Sequence, residues 1–372
     1  MRKLGVSVYP NHSSVEDIID YLKRAASYGY SRIFTCLLSV DYENPQKSID
    51  EFKKMTQAAH QLGFEVIGDV NPEVFKAFDL SIQDLSFFKE IGFDGIRLDM
   101  GFTGFEEALM TFDPSRLLIE LNCSAGNQSL TNILSYQPNK NFLVGCHNFY
   151  PHRGTGLSWE HFLNTSRLYK EHNLRTAAFV NSAVADTGPW PVNEGLCTVE
   201  RHRDWPIDLQ ARDLWQTNLI DDVIIGNAFA SEEELAALAA VDPYCLSLTV
   251  ELEADVSPVE KEIVLDKLHV NRGDQSEYFL RSSQSRLDYK EHDFVPHNNP
   301  PILHPGDVVI DNSLYPRYSG ELFVVLHEYV SDGKANLVAR IPEEEIFLLE
   351  NIKPWQKFKL IEKQEDHKEE KK

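Results

Sequence analysis

The first two thirds of the chain repeat one pattern at intervals of about 30 residues, the length of a strand–helix unit. An amphipathic segment opens with a serine, a glycine follows the segment, and a short apolar run comes next. A serine in this place is typical of a helix N-cap and the glycine of a helix C-cap. Each unit therefore predicts a helix followed by a strand. The opening serines are Ser13, Ser48, Ser81 and Ser231, and the closing glycines are Gly29, Gly63 and Gly92.

The apolar runs predict eight strands, near residues 4–9, 32–38, 65–70, 95–100, 117–122, 142–148, 176–181 and 222–227. Eight strands, each followed by a helix or a long loop, predict the α/β class and a (β/α)8 TIM barrel over residues 1–243. A doubly wound open sheet is the alternative. The segment VYPNHS after the first strand lacks the glycines of the dinucleotide-binding fingerprint that such a sheet often carries.

The pattern changes after Pro243. Residues 246–252 alternate like a strand, further strands are predicted near 308–311 and 322–330, and paired prolines and glycines mark turns between them. We therefore predict a second, small and mainly β domain over residues 244–362. Residues 363–372 form a charged tail, for which we expect no fixed structure.

The net charge limits the classes of partner that the chain can bind, and the cysteine content indicates its cellular compartment. The chain carries 36 basic and 58 acidic residues, a formal net charge of −22. This field repels nucleic acid and anionic membranes, so neither partner is expected, whereas a local basic pocket can still bind an anionic small substrate. The five dispersed cysteines, the short apolar N-terminal run and the lack of any apolar run of membrane-spanning length predict a cytoplasmic protein. No metal or other cofactor is expected.

Three carboxylates at strand ends are the candidate catalytic groups: Asp69, Asp99 and Glu120. Strand alternation turns all three toward the barrel mouth together with Arg97. Their convergence predicts one raised pKa, as a general acid needs. We expect Glu120 to be the proton donor and Asp99 or Asp69 the nucleophile or base. The alternatives are helix caps and salt bridges, or a metal site that includes His147, although no metal-binding spacing supports it.

Other polar and aromatic residues at the strand ends and in the following loops are candidate substrate contacts. Trp190 lies in a proline-rich loop and suits stacking on a sugar ring or packing of the barrel rim. The full set of predicted substrate-binding residues is Tyr9, Asn71, Arg97, Asn122, His147, Asn148, Tyr150, Asn181 and Trp190.

The loop after the sixth strand, residues 147–158, resembles an anion site. Two glycines just before a helix N-terminus let backbone amides face an anion, and basic and hydroxyl side chains add donors. The alternative is a flexible loop with Ser158 as an ordinary N-cap. The predicted phosphate-binding residues are His152, Arg153, Gly154, Thr155, Gly156 and Ser158, with Arg281, Arg286 and Arg317 of the second domain as lower-ranked candidates or solvated surface.

Several motifs together resemble the bacterial 6-phospho-N-acetylmuramidase family. They are LGVSVYP at 4–10, GDVNP at 68–72, GIRLD at 95–99, HNFYP at 147–151 with TGL at 155–157, and GDVVIDN at 306–312. The similarity extends over the chain up to the charged tail, and the motifs are distinctive as a set.

The resemblance implies a TIM barrel followed by a cyclophilin-like β-barrel domain. It also implies cytoplasmic hydrolysis of the β-1,4 bond of N-acetylmuramic acid 6-phosphate–N-acetylglucosamine, a step of peptidoglycan recycling. The substrate partner would be this phosphorylated amino-sugar disaccharide. Two other functions remain open: a metal-assisted phosphosugar aldolase or isomerase on the same barrel, and a non-catalytic sugar-binding protein.

Overall fold

A computed structural model describes residues 1–38 and 45–363. The chain divides into two compact units, Met1–Val241 and Asp242–Lys372. The predicted charged tail lies outside the described residues except for Lys363. None of the described helices is long and apolar enough to cross a bilayer.

The first unit is a closed barrel of eight parallel strands that pair in chain order, with the eighth strand closing on the first through Leu4 and Val223. Its strands are β1 (Leu4–Ser7), β2 (Arg32–Cys36), β3 (Glu65–Val70), β4 (Gly95–Leu98), β5 (Leu118–Asn122), β6 (Leu143–Cys146), β7 (Thr176–Val180) and β8 (Asp222–Ile225).

The helices of this unit follow the strands. They are α1 (Val15–Ser27), α2 (Pro45–Gln61), α3 (Pro72–Ala77), α4 (Ser86–Ile91), α5 (Phe105–Met110), α6 (Ser129–Ser135), α7 (Trp159–Glu171), α8 (Ile207–Gln216) and α9 (Glu232–Ala239). Short 3₁₀ turns cover Cys123–Ala125, Lys140–Phe142 and Glu200–His202.

The glycine signals act as predicted, whereas of the four opening serines only Ser231 caps the helix that it was expected to begin. Gly29, Gly63 and Gly92 have positive φ angles of 86°, 85° and 96°, which suit a glycine after a helix. The N-cap of α1 is Ser14 and not Ser13, because the Ser14 hydroxyl accepts the Asp17 amide. Two further opening serines lie away from the helix starts: Ser48 lies inside α2 and is buried, and Ser81 precedes α4 by five residues.

The second unit is mainly β, which together with the closed barrel confirms the predicted fold class. Seven strands form one nearly closed sheet in the order β10-β17-β9-β16-β13-β14-β11, and β12 pairs with β15 separately. The strands are β9 (Leu246–Leu252), β10 (His269–Val270), β11 (Phe279–Ser282), β12 (Ile302–Leu303), β13 (Asp307–Asp311), β14 (Leu322–Val325), β15 (Tyr329–Val330), β16 (Ala335–Arg340) and β17 (Lys357–Glu362). Helices α10 (Pro258–Asp266) and α11 (Ser285–Asp288) and a 3₁₀ segment (Glu343–Asn351) complete the unit.

Charged side chains fill the barrel interior toward the N-terminal ends of the strands. Arg32 donates to Asp222 at 2.6 Å and also to Glu120, and all three side chains are buried. Arg175 extends the network by donating to Asp222 and to Glu65. Residues at this end of a barrel serve stability, so the network positions the strands and leaves the opposite end for chemistry.

Candidate active site at the barrel mouth

The cavity at the barrel mouth has a volume of about 200 Å³. This is below the range of about 300–1,000 Å³ that is usual for small-molecule sites, so it holds only part of a larger ligand. It lies at the C-terminal ends of β3 and β4 and under the loops that follow β6 and β7, where barrel enzymes carry their reactive groups. Its lining residues are Leu38, Asp69, Arg97, Asp99, Asn148, Phe149, Phe179 and Trp190.

One guanidinium group connects the polar residues of this cavity. Arg97 Nη1 lies 2.7 Å from Asp69 Oδ1 and 3.3 Å from Asp99 Oδ1, and Nη2 donates to Asn148 Oδ1. Both carboxylate oxygens contact the same nitrogen, so they lie within about 6 Å of each other. The sequence explains this placement, because residues 97 and 99 share one face at the end of β4 and Asp69 is paired with Arg97 in register across β3 and β4.

The two carboxylates have different environments. The Asp69 side chain is 8% exposed and that of Asp99 is 35% exposed. Burial raises the pKa of Asp69 to about 7; the Asp99 charge acts in the same direction, while Arg97 opposes it. Asp69 therefore keeps its proton to a higher pH than an ordinary aspartate does, which is the property expected of a general acid.

Glu120, the predicted proton donor, does not line the cavity. Its side chain is buried and binds Arg32 in the interior network, and Oε1 has no hydrogen-bond partner among the described residues. Strand alternation correctly turned this side chain inward, but the residue reaches down the barrel toward Arg32 and not up to the mouth. The geometry therefore favours a structural role for Glu120 and disfavours the predicted one.

Three of the predicted substrate-binding residues line the cavity: Arg97, Asn148 and Trp190. Tyr150 is half-buried nearby, and burial raises the pKa of its phenol, with Asp99 adding to the rise. Trp190 is 42% exposed, so much of this side chain is open to solvent beside the cavity.

The other five predicted contacts are engaged within the fold. The Tyr9 hydroxyl donates to the Gly226 carbonyl at 2.7 Å, and Asn71 and Asn122 cap short helical turns. Asn181 accepts from the Leu196 amide and donates to the Arg203 carbonyl. His147 lies fully buried between Ser124 and Ser166, and burial lowers its pKa to about 3, so it stays neutral. None of the five lines the cavity.

Two phenylalanines that line the cavity were not among the predicted contacts, whose aromatic members were Tyr9, Tyr150 and Trp190. The rings of Phe149 and Phe179 lie 5.1 Å apart in an edge-to-face arrangement, and both contact Phe34 in the same way. The alternation along β7 could have identified Phe179, because it shares the inward face with Ala177.

The loop of residues 147–158 binds an anion that belongs to the protein itself. The amides of Gly154 and Gly156 each donate at 2.7 Å to the Glu200 carboxylate, which also accepts from Arg203 at 2.6 and 2.8 Å. Hydrogen bonding from Arg203, reinforced by the two amides, lowers the pKa of Glu200 to about 2. The prediction that these amides are free to bind phosphate is therefore corrected: Glu200 occupies them.

The remaining predicted phosphate-binding residues of this loop are exposed. Arg153 forms a bidentate pair with Asp204, at 2.6 and 2.9 Å, and the two side chains are 55% and 70% exposed. The His152 ring contacts the Arg153 carbonyl and the Thr155 hydroxyl donates to the His152 carbonyl. Ser158 caps α7, as its alternative interpretation held.

The basic residues predicted in the second unit also have internal partners. Arg281 and Arg286 both donate to the buried Glu321, at 3.0 and 2.7 Å. Arg317 is exposed. Among the described residues, no cluster of three or more His, Cys, Asp or Glu side chains has an arrangement that could hold a metal ion.

Comparison with known proteins agrees with this architecture. A family profile described as 6-phospho-N-acetylmuramidase, N-terminal, matches residues 4–240, and its C-terminal counterpart matches residues 246–361. An uncharacterized protein of B. cereus has a crystal structure that is 48% identical, with a TM-score of 0.90 over 97% of this chain and 99% of that one. A conserved protein of unknown function from Enterococcus faecalis is 26% identical, with a TM-score of 0.68 over 97% and 96%. A search of curated proteins gives no significant match.

Proposed function

Since the chain belongs to the 6-phospho-N-acetylmuramidase family, a family of glycosidases, we propose that its barrel mouth cleaves a β-1,4 glycosidic bond with Asp69 and Asp99 as the paired carboxylates. The substrate is N-acetylmuramic acid 6-phosphate linked to N-acetylglucosamine. The observation that carries the assignment is the Arg97 guanidinium, which holds both carboxylates at one cavity.

The environments of the two carboxylates assign their roles. Asp69 is the general acid, because burial raises its pKa to about 7. It donates that proton to the glycosidic oxygen as the bond to the sugar carbon breaks. Asp99 is more exposed and lies beside a permanent positive charge, which suits a carboxylate that attacks or stabilises the developing oxocarbenium carbon.

The spacing favours a retaining reaction. Retaining glycosidases have carboxyl groups about 5–5.5 Å apart, and inverting enzymes need about 6.5–9.5 Å to admit a water molecule. The two oxygens of Asp69 and Asp99 that share Arg97 Nη1 lie at most about 6 Å apart, a bound that accommodates the retaining spacing. Asp99 then forms a covalent glycosyl intermediate, and Asp69, now deprotonated, activates the water that hydrolyses it.

The rest of the cavity supports a sugar ligand. Trp190 and Phe149 offer ring faces and edges to the C–H surface of a pyranose, and Asn148 adds an amide for a hydroxyl or acetamido group. Because Asn148 also accepts from Arg97, a contact between its amide and the substrate would be transmitted to both carboxylates.

We place the reaction in the cytoplasm, as a step of peptidoglycan recycling. A phosphorylated disaccharide is a substrate that a cell makes and consumes internally. The five cysteines support this location, because all are free thiols in the structure, as expected in a reducing compartment.

The test is turnover of the synthetic phosphorylated disaccharide by the purified protein, followed by NMR of the anomeric protons during the first turnovers. We expect release of N-acetylglucosamine, with N-acetylmuramic acid 6-phosphate first formed as the β anomer. The same assay with EDTA distinguishes a metal-assisted aldolase or isomerase, which would lose activity. No release of N-acetylglucosamine would refute the proposed function, and an initial α anomer would refute the retaining mechanism alone.

A further inference from the structure

The second unit contains its own cavity, of about 320 Å³. It lies on one face of the sheet formed by β16, β13, β14 and β11, where register places Val309 beside both Phe323 and Leu337. Leu303 of β12 and Tyr329 of β15 complete its wall. The volume lies at the lower end of the range for small-molecule sites, about 300–1,000 Å³, which suits one ring and not a chain of rings.

Aromatic side chains form much of this wall. The ring of Phe279 lies 5.4 Å from that of Phe323 and 5.0 Å from that of Tyr329, measured between centroids. A second pair, Tyr315 and Tyr318, lies 5.2 Å apart and also lines the cavity. Phe323 is only half-buried although it stands on the inner face of the sheet. These rings therefore present an open aromatic surface beside polar tyrosine hydroxyls.

Asp311 is the carboxyl group of this cavity that has no partner among the described residues. Among the described residues, its carboxylate makes no hydrogen bond and no ion pair, although it is half-buried. The other charged groups are paired: Arg281 with Glu321, and Lys334 with Asp332 at 2.8 Å. Burial, together with Glu321 and Asp332, raises the pKa of Asp311 to about 8. A carboxyl group kept in this setting costs stability, which is expected where a ligand supplies its partner.

We propose that this cavity is a carbohydrate-binding site for a single pyranose ring, which stacks its C–H face on Phe279, Phe323 and Tyr329 and bonds its hydroxyls to Asp311. A pyranose has an apolar face for the aromatic rings and hydroxyls that both donate and accept, so it suits Asp311 in either protonation state. This site is additional to the barrel mouth, and it does not depend on the proposed reaction.

Two other ligand classes fit the cavity less well. A phosphate or carboxylate would meet Asp311 and Asp332 while both nearby cations already have carboxylate partners. An ammonium group would need Asp311 ionised and would lie near Lys334 and Arg281. A neutral sugar avoids both conflicts, and this choice replaces the earlier expectation that Arg281 and Arg286 bind phosphate.

The experiment is hydrogen–deuterium exchange on the full chain with N-acetylglucosamine, glucose, tetramethylammonium or inorganic phosphate. We expect one of the two sugars to slow exchange in peptides that cover 276–281, 303–311 and 329–335. In Asp311→Asn and in Phe323→Leu, the same protection should require about tenfold more sugar, the scale of one lost polar or stacking contact. Asp255→Asn, which removes an exposed carboxylate outside the cavity, is the matched control and should bind like the wild type.

Circular dichroism of each variant shows whether it is folded. If Phe323→Leu does not fold, Asp311→Asn alone tests the proposal. Protection of these peptides by tetramethylammonium or phosphate but by neither sugar would overturn the proposal. The proposal is also overturned if neither sugar protects these peptides, or if the protection is the same in Asp311→Asn as in the wild type. The proposed hydrolysis is measured separately at the barrel mouth, so neither result decides the other.

Discussion

Arg97 and Asp69 form an ion pair at the bottom of the barrel mouth, with 2.7 Å between Nη1 and Oδ1 and with both side chains more than nine-tenths buried. The pair combines two opposing effects on one carboxyl group: burial raises the pKa of Asp69, and the guanidinium lowers it. The outcome is a pKa of about 7 for a residue that shares its cation with a second, more exposed carboxylate, Asp99. This asymmetry is the physical basis for the different roles proposed above for Asp69 and Asp99.

The first prediction concerns the two carboxylates. Asp69→Asn and Asp99→Asn should each lower kcat/KM for the phosphorylated disaccharide by about 10²–10⁴-fold, the range for loss of a positioned acid or base. Both amides keep the size of the side chain and should leave the fold intact, which urea unfolding checks. Wild-type rates in either variant would remove that residue from the mechanism.

The second prediction concerns pH. A general acid works in its protonated form, so kcat/KM should decline as the pH rises above about 7, where Asp69 loses its proton. Measuring kcat/KM between pH 5 and 9 tests this decline, which is the alkaline limb of the pH profile. These limits extend about two pH units to either side of the pKa. The residual activity of Asp69→Asn should lack the limb. If the limb persists in this variant, another group is the acid.

The third prediction separates Glu120 from the chemistry. Glu120→Gln removes a buried charge that binds Arg32, and it should lower the free energy of unfolding by about 3 kcal/mol, as expected when a buried ion pair is broken. The activity of the folded fraction should remain close to that of the wild type. Glu251→Gln is the control, because its pair with Lys363 is about half exposed and should contribute less than about 1 kcal/mol.

The opposite result for Glu120 would restore its predicted role. A large loss of kcat with unchanged urea unfolding would mean that the side chain reaches the substrate in the working enzyme. Measuring stability and kcat on the same preparation distinguishes these two outcomes.

The barrel could be predicted from the sequence because its signals are local. The signals of each strand–helix unit, such as the glycine Gly63 and the apolar run that follows it, lie close together in the chain. Eight such units can bury their apolar faces in only a few arrangements, of which the closed barrel is one. The positions of Asp69 and Asp99 followed from the same local alternation. The mainly β character of the second unit could be predicted in the same way, from its alternating segments and turn residues. The order of its strands in the sheet could not.

Contacts between distant parts of the chain could not be predicted. Glu120 and Asn122 have the same strand parity, yet Glu120 points down the barrel because Arg32, 88 residues away, binds it. Similarly, the glycine loop has the features of an anion site, but Glu200 lies 46 residues after Gly154 and supplies the anion. In both cases residue type and spacing gave no information on the partner of the group.

The last prediction concerns recognition of the phosphate, which must come from local contacts because the chain carries a net charge of −22. Glu200 occupies the loop amides, which leaves the exposed Arg153 as the candidate. Its pair with Asp204 lies at the surface, where such pairs contribute little to stability, so a phosphate can displace Asp204 at little cost. Arg153→Ala should therefore reduce kcat/KM for the phosphorylated disaccharide by about one to two orders of magnitude and change the low rate on the unphosphorylated one very little.

Asp204→Asn is the matched variant for this test, because it frees Arg153 without removing it. We expect it to preserve or increase kcat/KM for the phosphorylated disaccharide, since the guanidinium no longer has a competing carboxylate. Kinetics of both variants on both disaccharides give four ratios that identify the role. An equal loss on the two substrates in Arg153→Ala would mean that Arg153 stabilises the loop through Asp204, and Asp204→Asn should then show the same loss. A loss confined to the phosphorylated substrate in Arg153→Ala, with none in Asp204→Asn, is the pattern that only phosphate binding by Arg153 produces.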